Sequence, residues 1–78
     1  MRKVGDPRPG YFLMKMEKGG ADVAAEIRYV QPRDPVSQEP MDRPGEWETW
    51  IDGKLARPPH KDPVKAGVFR VWYSGREV

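Results

Sequence analysis

The chain contains no cysteine, which excludes disulfides and thiolate metal sites and fits a reducing, cytoplasmic setting. It has a single histidine, His60, between Pro59 and Lys61. One imidazole among scattered carboxylates does not build a closed zinc site. The only serines, Ser37 and Ser74, sit in no motif for an activated hydroxyl, and the glycines match no phosphate-binding loop. These absences point away from an enzyme, a bound metal or a cofactor. No apolar run approaches the roughly 20 residues of a membrane helix, so no membrane association is expected. The basic N-terminus, Arg2 and Lys3, is followed by no apolar stretch and is not a signal peptide.

Proline and glycine are abundant instead, with 9 and 8 copies in 78 residues. That frequency disfavours helix and suits short strands joined by turns. The length allows one small domain with a thin margin of stability. Residues 1–9 show no periodicity and read as a flexible or loosely docked arm. Residues 10–78 read as the domain.

Within it, Tyr11–Glu17 places Phe12, Met14 and Met16 on one face, and Val23–Val30 alternates in the same way. Lys18-Gly19-Gly20 between them completes a hairpin. Residues 31–45 hold Pro32, Pro35, Pro40 and Pro44 and form a long solvated loop, of a length that is uncommon unless functional or disordered. Glu46–Ile51 is the third strand, and Asp52-Gly53 signals a type I′ turn into Lys54–Arg57. Val64–Gly67 allows a single helical turn after Pro63. Val68–Tyr73 reads as the last strand, with Phe69, Val71 and Tyr73 inward and Arg70 and Trp72 outward. The expected fold is mainly β: a small, strongly curved antiparallel sheet, or an SH3-like open barrel, of about five strands. Its expected core is Phe12, Met14, Val23, Ile27, Tyr29, one tryptophan near position 50, Leu55, Phe69 and Val71. An exposed edge strand would allow a homodimer.

The formal charge of +2 is too small to imply nucleic acid by itself. It is unevenly spread: residues 1–16 and 49–78 each carry +3, and residues 17–48 carry −4. Two electrostatic poles are one consequence; plain solubility is the other. Tryptophan and arginine are the residue types that most often anchor interfaces. Trp50, which shares its strand face with Glu48 and Asp52, therefore forms a candidate partner-binding patch with Arg70, Trp72, Lys54 and Arg57. The alternative surface is acidic: Asp34, Glu39, Asp42, Glu46 and Glu48, whose carboxylates imitate phosphates for a basic groove. Direct nucleic-acid binding through aromatic and basic residues is a third reading, opposed by the nearby Glu46, Glu48, Asp52 and Asp62.

Two stretches resemble a family. Pro9-Gly10-Tyr11-Phe12-Leu13-Met14-Lys15 with Lys18-Gly19-Gly20, and later Trp50-Ile51-Asp52-Gly53 with Lys65-Ala66-Gly67-Val68-Phe69-Arg70-Val71-Trp72, are similar to small proteins of tailed phages and prophages. The resemblance spans most of residues 9–76. In size and character the chain is also similar to anti-CRISPR proteins, particularly inhibitors of type I systems. It implies a phage-encoded, non-enzymatic inhibitor acting in the cytoplasm of a bacterial host. Such a protein binds a CRISPR effector complex and blocks engagement of target DNA. A small nucleic-acid-binding regulator and a phage structural or assembly protein remain as alternatives.

Overall fold

Alternating side chains and tight turns lay down an antiparallel sheet in the computed structural model, which describes residues 5–78. Strands β1 (Gly10–Lys15) and β2 (Asp22–Val30) form the expected hairpin, in register from Gly10 opposite Ile27 to Lys15 opposite Asp22. Strand β3 (Glu46–Ile51) pairs with the other edge of β2, from Val30 opposite Glu46 to Ala25 opposite Ile51. Asp52 and Gly53 both adopt positive φ, 54° and 75°, as a type I′ turn requires, and lead into β4 (Lys54–Leu55). Strand β5 (Arg76–Glu77) adds to the free edge of β1. The order is β4-β3-β2-β1-β5, and the sheet does not close into a barrel.

One face of the sheet is the core. Phe12 and Met14, Ala25 and Ile27, and Thr49 and Ile51 alternate inward and are buried. They are covered by α1 (Val68–Ser74), the segment that the sequence reading assigned to a strand. The physical reason is spacing. Val68, Val71 and Trp72 stand at i, i+3 and i+4, and a helix buries all three, whereas a strand would expose Trp72. Trp72 meets Phe12 edge-on at 6.1 Å between centroids.

The expected turn after Pro63 launches this helix. Asp62 accepts the Val64 amide through its carboxylate at 2.9 Å and the Ala66 amide through its carbonyl at 3.1 Å. Gly67, at φ 80°, then turns the chain into α1.

The expected core needs two further corrections. Tyr29 is 43% exposed because it lies near the end of β2, where its ring packs on Trp47 rather than under the helix. Leu55 is 40% exposed because its register opposite Trp50 turns it to the other face. Phe69, Val23 and Trp47 pack at the core's margin.

Of the expected N-terminal arm, residues 1–4 lie outside the described residues. Farther along, Pro7 is buried and the Arg8 guanidinium lies 5.9 Å from the Trp72 ring centroid. The loop over 31–45 is a hydrogen-bonded excursion. Arg33 and Pro40 bridge antiparallel, the Met41 amide donates to Pro32, and the Asp34 amide donates to Glu39.

Candidate functional site

The face of the sheet opposite α1 carries the second set of alternating residues. Register aligns Tyr11 with Glu26, Glu26 with Trp50, and Trp50 with Leu55, making one row across β1, β2, β3 and β4. Arg28 and Glu48 are paired one step along. Tyr11 is 67% exposed. Ala24 leaves space beside this row. Together with Tyr11, Glu26, Arg28, Trp50 and Gly53 it lines a cleft of about 300 Å³.

The side chains of the row hold one another. The Trp50 indole N–H donates to Glu48 Oε1 at 2.9 Å. Arg28 lies 4.9 Å from the Trp50 ring centroid, within cation–π range. Its Nε pairs with Glu26 Oε2 at 2.9 Å. Glu26, by its hydrogen bond first and its charge after, pushes the Arg28 guanidinium above its already high value, with Glu48 adding. The chain Glu48–Trp50–Arg28–Glu26 is thus set before any ligand arrives, which lowers the entropy lost on docking.

The sequence-proposed patch is divided by the fold. Trp50 stands on the open face. Trp72 is 2% exposed and belongs to the core, so it is no surface anchor. Arg57 and Arg70 line a separate groove at one end of β3, with Ile51, Val64 and Phe69. Lys54 is exposed in β4, opposite Ile51 and hence on the helix side. The acidic set is divided too: Asp34, Glu39 and Asp42 lie in the 31–45 excursion, whereas Glu46 and Glu48 lie on the open face of β3. Tyr11, Glu26, Arg28 and Leu55 were missed by sequence reasoning. The available signal was their outward parity, usable once the register opposite Trp50 is known.

The groups with conventional chemistry have local roles. His60 Nδ1 accepts the Asp62 amide at 2.9 Å, and the His60 backbone bridges to Trp47. Ser37 Oγ accepts the Glu39 amide at 3.3 Å. Among the described residues, no three His, Cys, Asp or Glu side chains are grouped to hold a metal ion. Likewise, no helix among them is long and apolar enough to cross a membrane. No family model, no curated protein and no solved structure matches the chain.

Proposed function

We propose that the chain is a non-enzymatic binding module that docks a protein partner onto the open face of its sheet. The observation that carries this reading is the row Tyr11, Glu26, Trp50 and Leu55, with Trp50 fixed between Glu48 and Arg28. Aromatic rings and arginine dominate the binding energy of protein interfaces, and a pre-set anchor loses less freedom when it docks. A track for a nucleic-acid backbone needs clustered unpaired cations. On the open face Arg28 is instead neutralised by Glu26, and Arg76 by Asp22 at 2.7 Å.

The more specific proposal takes its support from the resemblance to phage proteins. The partner is a type I CRISPR effector complex of a bacterial host, and docking obstructs target DNA. Titration of purified type I effector with the native protein should show saturable binding at micromolar or lower concentration. Effector loaded with the inhibitor should lose its mobility shift of target DNA. Absence of binding would remove the effector as partner. Binding to bare duplex DNA that weakens steeply with salt would instead make the chain a nucleic-acid-binding regulator.

A further inference from the structure

The groove at the Ile51 end of β3 differs in chemistry from the open face. Ile51, Ala56, Val64 and Phe69 give it apolar walls, Arg57 and Arg70 border it, and its volume is about 370 Å³. Arg57 is laid across Gly67, where a Cβ would stand 3.0 Å from the arginine Cδ. Among the described residues neither guanidinium forms an ion pair, and Arg70 reaches only the Met16 sulfur, at 3.8 Å. Phe69 is stacked on Tyr73, with centroids 5.3 Å apart, which holds its ring in place as one wall. The groove suits an apolar side chain flanked by carboxylates.

The same chain presents such a segment. The turn Asp34-Pro35-Val36-Ser37-Gln38-Glu39 carries Val36 at its tip, 92% exposed, between two carboxylates. Asp34 Oδ1 accepts the Val36 and Ser37 amides at 2.8 and 3.1 Å, and Arg33 donates to the Gln38 carbonyl at 2.9 Å. The tip is therefore shaped in advance. It is rooted at the opposite end of β3 from its own groove. The excursion leaves the sheet where Val30 pairs with Glu46, and the groove begins at Ile51, about 17 Å away along β3. The molecule is correspondingly long, 48 × 26 × 21 Å, with a radius of gyration of 13.8 Å. A compact chain of this length would have about 11.5 Å.

We infer that the Val36 turn of one copy docks into the Arg57–Arg70 groove of a second copy, head to tail. The contact joins two different surfaces, so a pair keeps one free groove on the copy that gives its turn and one free turn on the copy that receives it. The open face that carries Trp50 stays accessible, and the inference does not depend on the proposed function.

Sedimentation velocity of the native protein should show mass above the 9.0 kDa monomer, rising with concentration up to about 1 mM and falling with added salt. Val36→Asp and the double variant Arg57→Gln/Arg70→Gln should each stay monomeric while melting like the native protein. Mixed together, they should form a one-to-one dimer, because one supplies the intact groove and the other the intact turn. A native protein that is monomeric throughout overturns the inference. So does association that both variants retain, or a mixture that stays monomeric when the native protein does not. Should the arginine variant melt early, Arg70→Gln alone serves as the groove variant, since among the described residues the Arg70 guanidinium hydrogen-bonds only to the Met16 sulfur.

Discussion

Trp50 and Trp72 carry the same indole in opposite settings. Trp72, on the inner side of α1, is sealed against Phe12 of the sheet, and removing it leaves a cavity. Truncation of a buried tryptophan costs about 3–5 kcal/mol. That consumes much of the roughly 5–15 kcal/mol that holds a small domain together. Trp72→Ala should therefore unfold in a circular dichroism melt far below the native protein, whereas Trp50→Ala should melt within a few degrees of it. A third residue has a different problem. Thr49 is fully buried, and its Oγ1 has no hydrogen-bond partner among the described residues. A buried unsatisfied hydroxyl costs about 1–3 kcal/mol, and valine has nearly the same shape without it. Thr49→Val should raise the melting temperature, by roughly 4–8 °C per kcal/mol gained in a domain of this size. A lower melting temperature would show that the hydroxyl is satisfied, for example by an ordered water.

At the scale of elements, the excursion over 31–45 depends on two local devices. Its return passes through Gly45, whose amide donates to the Tyr29 hydroxyl at 2.7 Å. A Cβ there would lie 2.7 Å from both the Tyr29 ring and the Val30 carbonyl. Gly45→Ala should destabilise the protein by about 1–3 kcal/mol in a urea titration. The second device is the Asp34 carboxylate, held below the ordinary carboxylate range by the Val36 and Ser37 amides. A lowered folded value means that this contribution is present above about pH 4 and is lost as pH falls through the lowered value. The Val36 and Ser37 amide resonances should shift together in acid, below the range where exposed aspartates titrate. Titration at the ordinary position would contradict the turn.

The elements also show where the chain was readable. Strict alternation in β1 and β2, with Asp52-Gly53 after β3, made the sheet and its hairpins legible. Helix α1 was not, because Val68–Tyr73 is rich in β-branched and aromatic residues that favour strands. The helical spacing of Val68, Val71 and Trp72 was present, but over little more than one turn. Tertiary burial under the sheet decides the outcome there. Trp50 was legible as a surface residue from its parity with Glu48. Its neighbours Tyr11 and Arg28 were not, since they become neighbours only through pairing of strands distant in sequence.

At the scale of the molecule, the fold separates three surfaces that the sequence runs together. The helix side buries Trp72, one end of β3 groups Arg57 with Arg70, and the open face holds the Trp50 row. The proposed role rests on the last of these. Its most direct test is the affinity of Trp50→Ala for a purified type I effector complex, beside that of the native protein. Loss of a central aromatic anchor should weaken binding by about 2 kcal/mol or more, roughly 30-fold in Kd, with an unchanged melt. A Trp50→Ala protein that is folded and binds with native affinity would contradict docking through the open face.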